Sequence, residues 1–235
     1  MRRFAGVARA LGSGAAIDVL VTAPGRQAAN ADELVAALSR ASGLPVRVLT
    51  REEEGVLAYE GALGSACIER WPAAVCDVGG GSTEITVGDL ARGPFWSRSA
   101  DVGSLRLTAS TLRGDPPTAG QLAEAAALVA SELEPVRPPA TGTALVVGGA
   151  ARALARLEGR RLDVAALGRA LDLVATRPAA DVARSTGLDP QRAATLAGGA
   201  VILLELARRL GPLHVGDGGL REGAVARLLA ECEAA

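Results

Sequence analysis

The sequence predicts an α/β protein with two lobes. Short apolar segments rich in β-branched residues alternate with segments of helical spacing through most of the 235 residues, an order typical of a sheet covered by helices. Residues 73–88 predict an antiparallel hairpin with a glycine tip, which argues against a simple doubly wound sheet. We expect a partial amino lobe at residues 1–66 and a carboxyl lobe at residues 67–235, whose last helix can return to the amino lobe.

The amino lobe is predicted to alternate helices and strands. The expected elements are a helix at residues 3–11, a strand at 16–21, a helix at 30–42, a strand at 46–49 and a helix at 50–62. Gly12 and Gly14 end the first helix, and Pro24-Gly25 closes the first strand. Thr50 lies three residues before Glu53, which is the spacing of a capping box at the start of the third helix.

After the hairpin the sequence is mostly helical. The expected elements are helices at residues 103–112, 118–133, 163–175, 178–186, 190–210 and 224–231, with strands at 145–147 and 213–215. Thr118 and Gln121 have capping-box spacing, and Asp189 followed by Pro190 marks a helix start. A turn at residues 218–223 is expected to connect the last strand to the closing helix.

Composition and charge limit the classes of partner. The formal net charge is −1 and the sequence pI is about 6.0, so nothing attracts the whole chain to nucleic acid or to an anionic membrane. Cys67, Cys76 and Cys232 are far apart, and no histidine is spaced to complete a zinc site with them. Because we find no secretory leader and no apolar stretch approaching about 20 residues, we expect a cytoplasmic protein without nucleic-acid or membrane partners.

The most informative segment is Asp77-Val78-Gly79-Gly80-Gly81-Ser82-Thr83-Glu84. Consecutive glycines at a hairpin tip let backbone N–H groups converge on one anion, because no Cβ blocks its approach. The two hydroxyl groups add donors, and Asp77 and Glu84 place carboxylates on either side, where they can orient water or a divalent cation. The plainer interpretation is a mobile glycine-rich hairpin with a solvated aspartate, but such a loop does not need an acid on both sides.

This segment resembles the second phosphate loop of the exopolyphosphatase/guanosine pentaphosphate phosphohydrolase (Ppx/GppA) phosphatase family, within the superfamily of sugar kinases, Hsp70 and actin. Four more segments are similar to the family's motifs and follow the same order, so the resemblance extends over nearly all of the chain. They are VTAPGRQAAN with Arg26, TREEEG with Glu54, the pair Gly148-Gly149 after a strand, and GDGGLREG with Arg221.

The resemblance implies an actin-like (ribonuclease H-like) two-lobe fold and a hydrolase that releases terminal phosphate from inorganic polyphosphate or guanosine pentaphosphate. Glu54 is then the general base that takes a proton from the attacking water, and Asp77 and Glu84 are catalytic carboxylates that hold Mg²⁺. The implied phosphate ligands are Gly79, Gly80, Gly81, Ser82, Thr83, Arg26, Gly148, Gly149 and Arg221.

These residues also have structural interpretations. The glutamates at 52–54 occupy a first helical turn, where the helix dipole favours carboxylates whatever their function. An arginine among 25 basic residues is usually a solvated surface charge, although Arg26 and Arg221 follow glycine-containing turns at strand ends, where an α/β fold opens its ligand crevice. The pair Gly148-Gly149 either donates N–H groups to a phosphate or allows a strand to pack closely on a helix.

Family members usually open with a strand and a loop of the type DxGSNS, which forms a first phosphate cradle, and the sequence has no such segment. We therefore expect a truncated amino lobe with uncovered sheet edges. A start upstream of Met1, a second chain over the edge, as in a homodimer, or a loss of catalysis would each account for it. The alternative functions are a non-catalytic phosphate-binding or regulatory module and an actin-fold kinase of a small molecule.

Overall fold

The computed structural model describes residues 2–10, 16–64 and 66–234. Its strands are β1 (Val19–Val21), β2 (Val46–Val48), β3 (Ala73–Val78), β4 (Thr83–Asp89), β5 (Gly93–Ala100), β6 (Thr143–Val147), β7 (Arg161–Leu162) and β8 (Leu213–Val215). Its helices are α1 (Arg2–Ala10), α2 (Ala23–Gln27), α3 (Ala31–Ser42), α4 (Arg51–Leu63), α5 (Ser104–Ser110), α6 (Ala119–Leu133), α7 (Gly149–Glu158), α8 (Val164–Thr176), α9 (Ala179–Thr186), α10 (Pro190–Ala194), α11 (Leu196–Leu210) and α12 (Leu220–Ala234). The predicted end of the first helix, with Gly12 and Gly14, lies outside the described residues.

A small sheet follows the order predicted for the amino-terminal segment. β1 and β2 run parallel, and the helices predicted at 30–42 and 50–62 are present as α3 and α4. Thr50 forms both hydrogen bonds of the predicted capping box with Glu53. The capping box fixes the start of α4, and with it the positions of the glutamates at 52–54.

Two predictions for this segment were wrong in detail. β1 begins at Val19 rather than at residue 16, because residues 16–18 have no regular structure. Pro24-Gly25 lies within the short helix α2 rather than in a turn. Proline suits this position because the first turn of a helix does not need its N–H group.

The large sheet has the strand order β5-β4-β3-β6-β8-β7. The predicted hairpin is confirmed as β3 and β4, with Asp77 opposite Glu84. β3, β6 and β8 run parallel, so their carboxyl ends lie at the same edge of the sheet. The segments that follow these three strands therefore gather at that edge, where open α/β sheets bind their ligands.

The edge strands β5 and β7 were not predicted. Most residues of β5 are partly exposed, and the strand contains Pro94, which is tolerated at a sheet edge. Its pairing with β4 is irregular between Val87 and Gly88. An edge strand of this kind lacks a clear period of two, and β7 has only two residues, so neither strand has a readable sequence signal.

The two carboxyl-terminal helices differ from the prediction. The long helix expected at 190–210 is divided into α10 and α11, which meet at Thr195. The closing helix α12 begins at Leu220 rather than at residue 224.

Close packing explains the early start of α12. α12 packs against α4, and a Cβ on Gly223 would overlap the carbonyl oxygen of Leu57 in α4, while a Cβ on Gly61 would overlap that of Gly219. The glycines that suggest a turn in the sequence thus allow two helices to cross at short distance. The last helix was expected to return to the amino lobe, and it packs against α4; the division into lobes at residue 66, and with it this return, stays a prediction.

Helices cover both faces of the large sheet. Alternation along β6 sends Val146 into the main core, which contains α6, α7, α8 and α11, while Leu145 and Val147 pack on the opposite face with Tyr59 of α4. The loops that follow β3, β6 and β8 are therefore supported by a buried apolar layer on each face of the sheet. Within the described residues, no helix is both long and apolar enough to cross a membrane.

Candidate active site

A cleft opens at the carboxyl edge of β3. Its volume is about 530 Å³, and it lies between α2 on one side and the β3–β4 turn with α5 on the other. Five of the residues predicted from the sequence line this cleft together. They are Glu54, Gly79, Gly80, Gly81 and Ser82.

The glycine turn presents backbone donors to the cleft. The N–H of Gly79 closes the turn by donating to the carbonyl oxygen of Ser82 (3.1 Å), and the first turn of α5 donates to the carbonyl oxygens of Gly79 and Gly80 (2.9 and 3.0 Å). Among the residues that the structure describes, the N–H groups of Gly80 and Gly81 donate to no protein acceptor. These two donors are available to an anion in the cleft.

Small residues bring the turn close to both neighbouring helices. A Cβ on Gly103, just before α5, would lie 2.5 Å from the backbone nitrogen of Gly81, and a Cβ on Gly81 would lie 3.3 Å from Cβ of Ala23 in α2. None of the glycines at 79–81 has a positive φ. Glycine is used here for close approach rather than for an unusual backbone conformation.

Glu54 reaches the cleft from the first turn of α4. Only 7% of the residue is exposed, and this burial raises the pKa of its carboxyl group. α4 lies close to the hairpin because residue 55 is glycine; a Cβ there would be 2.6 Å from the hydroxyl oxygens of both Thr86 and Ser97. A carboxylate with a raised pKa is suited to accept a proton near neutral pH.

Arg26 lies beside Glu54. Its Nη2 is 2.7 Å from Oε2 of Glu54, and its Nη1 donates to the carbonyl oxygen of Leu49 (2.6 Å). The contact with Glu54 is ionic but is not aligned as a hydrogen bond, and Nε is buried without an acceptor among the described residues. Because buried donors are rarely left without a partner, this guanidinium has capacity for a further acceptor such as a phosphate oxygen.

Asp77 and Glu84 face each other across the hairpin. Burial, and then the charge of Glu54, raise the pKa of Glu84 to about 8, although hydrogen bonds from hydroxyl groups favour its charged form. One of these donors is Oγ of Ser99, 2.8 Å from Oε1. Burial and the charge of Glu54 also raise the pKa of Asp77, to about 6, while the positive charge of Arg152 lowers it. Three carboxyl groups thus share one poorly solvated region.

A divalent cation fits this region with additional ligands. In the described parts of the chain, no three His, Cys, Asp or Glu side chains are grouped so that they could hold a metal ion. Mg²⁺, however, usually takes one or two carboxylates and completes its shell with water and phosphate oxygens. A positive charge would also favour the ionised forms of both acids. Asp77 and Glu84 therefore stay the predicted metal ligands.

The second glycine pair lies where β6 meets α7. Gly148 has a φ of +102°, in the region that favours glycine, and a Cβ there would lie 2.5 Å from the carbonyl oxygen of Val78 and 3.1 Å from Oδ1 of Asp77. A Cβ on Gly149 would overlap the guanidinium of Arg192. The pair therefore lies between an acid of the site and an arginine.

Five predicted phosphate ligands do not line the cleft: Arg26, Thr83, Gly148, Gly149 and Arg221. Arg26 contacts Glu54, Gly148 lies beside Asp77 and Gly149 beside Arg192, and the contact of these three residues with phosphate stays a prediction. Oγ1 of Thr83 donates to the carbonyl oxygen of Val102 (2.6 Å), and the residue is fully buried, so this hydroxyl holds the hairpin. Arg221 is exposed in the first turn of α12 and does not line the cleft. Contact of either residue with phosphate stays a prediction.

Five residues around the site were not predicted. They are Gln27, Ser99, Arg106, Arg152 and Arg192. Arg192 lies in α10, which has only five residues, so its position relative to the helix dipole gives no signal. All five are identified only by their neighbours in space.

Sequence comparison decides the family. A profile of the Ppx/GppA phosphatase family matches residues 1–231. The chain belongs to the Ppx/GppA phosphatase family. It is 34% identical over 199 residues to exopolyphosphatase 2 of Mycobacterium tuberculosis, a match that covers 78% of this chain and 61% of the relative's length. Exopolyphosphatase 1 of Mycobacterium leprae is 26% identical over 245 residues, with 94% of this chain and 70% of that protein covered.

Solved structures of Ppx/GppA proteins have the same fold. An exopolyphosphatase-like protein matches with a TM-score of 0.87 at 25% identity, over 96% of this chain and 80% of that one. The Aquifex aeolicus family member matches with a TM-score of 0.81 at 27% identity, over 98% of this chain and 79% of that one. An exopolyphosphatase of Cytophaga hutchinsonii matches with a TM-score of 0.85 over 98% of this chain and 80% of that one. At 16% identity, this match shows a similar fold alone. The predicted actin-like α/β fold is confirmed.

Proposed function

We propose that this Ppx/GppA family member hydrolyses the terminal phosphoanhydride of inorganic polyphosphate or guanosine pentaphosphate and releases phosphate. The observation that carries the proposal is the grouping of three carboxyl groups: Asp77 and Glu84 lie opposite each other on the hairpin, and both are influenced by Glu54, which lines the cleft together with the glycine turn. A glycine turn alone would suit a binding module. Three carboxyl groups with raised pKa values in one poorly solvated region favour chemistry that uses their protons or charges.

Glu54 is the base in this proposal. Its ionised carboxylate takes a proton from a water molecule as that water attacks the terminal phosphorus, in line with the leaving oxygen. The adjacent guanidinium of Arg26, 2.7 Å away, orients the carboxylate and offers donors to the phosphoryl group. The free N–H groups of Gly80 and Gly81 stabilise the charge on the phosphoryl oxygens.

Asp77 and Glu84 are the residues that would hold Mg²⁺. When bound, the ion would neutralise charge on the phosphate oxygens. Ser99 holds one oxygen of Glu84 by donating to Oε1, which fixes the direction of the carboxylate. Since the pKa of Glu84 is raised to about 8, we expect Mg²⁺ to bind more tightly as the pH rises toward 8.

Phosphate release from polyphosphate and from guanosine pentaphosphate, measured with Mg²⁺, tests the proposal. We expect Glu54→Gln to lower kcat by about 10²- to 10⁴-fold, the usual contribution of a general base. Glu52→Gln is the matched control, because Glu52 belongs to the same helical turn but is exposed, and we expect wild-type turnover from it.

Other outcomes identify the alternatives. If the folded wild-type chain releases no phosphate from either substrate, while polyphosphate still raises its melting temperature, the chain is a phosphate-binding module and the hydrolase proposal is wrong. ATP consumption that depends on an added acceptor would instead indicate a kinase.

A further inference from the structure

Arg106 lines the cleft, and within the described residues it has no carboxylate partner. Its Nη1 donates to the backbone oxygen of Asp101 (3.1 Å), and its Nη2 donates to Oε1 of Gln27. Neither acceptor is charged, and the ion pairs found in the described residues do not include Arg106. A positive charge at the edge of the cleft is therefore left without a counter-charge.

Neighbouring side chains explain why Asp101 does not neutralise Arg106. One carboxylate oxygen of Asp101 accepts from Nε2 of Gln27 (2.6 Å), and the other accepts from Nη2 of Arg51 (2.9 Å). Gln27 belongs to α2 and Arg106 to α5, so these contacts join the two sides of the cleft. We use the term cleft bridge for Gln27, Arg51, Asp101 and Arg106.

The backbone ties Arg106 to the glycine turn. Its N–H donates to the carbonyl oxygen of Gly80 (2.9 Å), a residue that lines the cleft. The position of the Arg106 backbone is thus fixed relative to the proposed site of the terminal phosphate. The long side chain can change its partner without any movement of α5.

The cleft is larger than a single phosphate group. Its volume is about 530 Å³, whereas a water molecule takes up about 30 Å³ in the liquid, and a phosphate group has only five heavy atoms. A terminal phosphate on the glycine turn leaves room for further phosphates of the same chain. Arg106 lines the same cleft next to the glycine turn, so it is placed to contact such a phosphate.

We propose that Arg106 binds a phosphate that follows the terminal one, by exchanging the amide oxygen of Gln27 for phosphate oxygens. This inference rests on the proposed function and adds a specificity-determining residue to it. A phosphate oxygen carries negative charge and forms a stronger hydrogen bond to a guanidinium than a neutral amide oxygen does. The ligand class is a linear chain of phosphates, whether free or attached to a nucleoside.

Binding measurements can test Arg106 without turnover. In the Glu54→Gln background, we would determine by titration calorimetry the Kd values of tripolyphosphate and orthophosphate, with and without Arg106→Gln. Loss of a charge-assisted contact weakens binding by about tenfold or more. We expect this loss for tripolyphosphate and a clearly smaller one for orthophosphate, which the glycine turn holds alone.

The control is Arg113→Gln in the same background. Arg113 is also exposed, but it donates only to the backbone oxygen of Ser110 and does not line the cleft. We expect its Kd values to equal those of the parent. Equal tripolyphosphate affinities in the Arg106 and Arg113 variants, or no tripolyphosphate binding by the folded parent, would overturn the inference.

A failure of the proposed hydrolysis would be seen separately. If the wild-type chain binds tripolyphosphate but releases no phosphate from polyphosphate, the hydrolase proposal fails, while the comparison of Kd values still decides the role of Arg106. If turnover is present, Arg106→Gln should raise KM for polyphosphate by more than it lowers kcat.

Discussion

The two glycine turns at the carboxyl edge of the large sheet use glycine for different physical reasons. In the turn at 79–81, no glycine has a positive φ, and the absence of side chains lets α2 and α5 come close while two N–H groups stay free. At Gly148 the backbone itself needs glycine, since φ is +102° and a Cβ would lie 2.5 Å from the carbonyl oxygen of Val78.

From this difference we expect the turn at 79–81 to bind the ligand and the Gly148 turn mainly to support the fold, while phosphate contact of both turns stays a prediction. The first turn supplies donors to the cleft, so its substitution should affect binding more than folding. The second turn fixes β6 and α7 beside Asp77, so its substitution should affect folding more than binding. Substitutions in and beside the two turns test this expectation.

We expect the largest effect from Gly148→Ala. Backbone strain at a glycine-only conformation, added to the clash with Val78, should lower the free energy of unfolding by about 3 kcal/mol in urea denaturation. Gly159→Ala is the control, because Gly159 has a φ of +88° but nothing within 4 Å of its Cβ position. Its free energy of unfolding should fall by only about 1 kcal/mol, because backbone strain is then the only cost. Equal losses in the two variants would show that the clash adds nothing.

For a change of one pH unit, a medium effect on stability is expected from the acids beside the two turns. Because the pKa of Glu84 is raised from 4.5 to about 8, the folded chain keeps a proton that the unfolded chain releases. Its stability is therefore greatest below the unfolded pKa and falls as the pH rises toward 8, by up to about 1.4 kcal/mol per pH unit. Asp77, raised from 3.8 to about 6, adds to this fall below about pH 6.

Urea unfolding at pH 5, 6, 7 and 8 with EDTA present would separate the two acids. Glu84→Gln should flatten the loss of stability between pH 6 and 8, and Asp77→Asn should flatten it mainly below pH 6. A wild-type slope that persists between pH 6 and 8 in Glu84→Gln would contradict the assignment to Glu84.

The smallest effect on folding is expected from Gly81→Ala. The added Cβ would lie 3.3 Å from Cβ of Ala23, a contact that α2 can relieve by a small shift, so the loss of unfolding free energy should stay below about 1 kcal/mol. The same shift should raise KM for polyphosphate by about threefold to tenfold. Gly168→Ala in α8 is the control, because its Cβ position is in open space, and it should leave KM unchanged. If KM is also unchanged in Gly81→Ala, the turn does not contribute to substrate binding.

Local signals in the sequence predicted much of this molecule. The capping boxes at Thr50 and Thr118 are both present, and the hairpin register brings Asp77 opposite Glu84. These features depend on residues close together in the chain. The division at Thr195 and the helical start at Leu220 were not predicted, because distant segments determine them by packing.

The same limit applies to the candidate site. The glycine turn and its three carboxyl groups were predicted from motifs, but the cleft bridge was not. Gln27 and Asp101 are 74 residues apart in sequence, and neither has a neighbour in the chain that indicates the contact. Arg152 acts on Asp77 from another element, so its role appears only in three dimensions.

The glycines of α4 have a mechanical consequence for the proposed base. Gly55 holds α4 on β4 and β5, and Gly61 holds it on α12, so α4 would move as a rigid body with the large sheet, although it precedes that sheet in the chain. If α2 swung outward, Arg26 would leave Glu54 behind beside Asp77. Water would then reach Glu54 and lower its pKa, because burial is the main cause of the raised value, whereas loss of the Arg26 contact, which lowers that pKa, would act in the opposite direction. The basicity of this carboxylate would thereby be coupled to the width of the cleft.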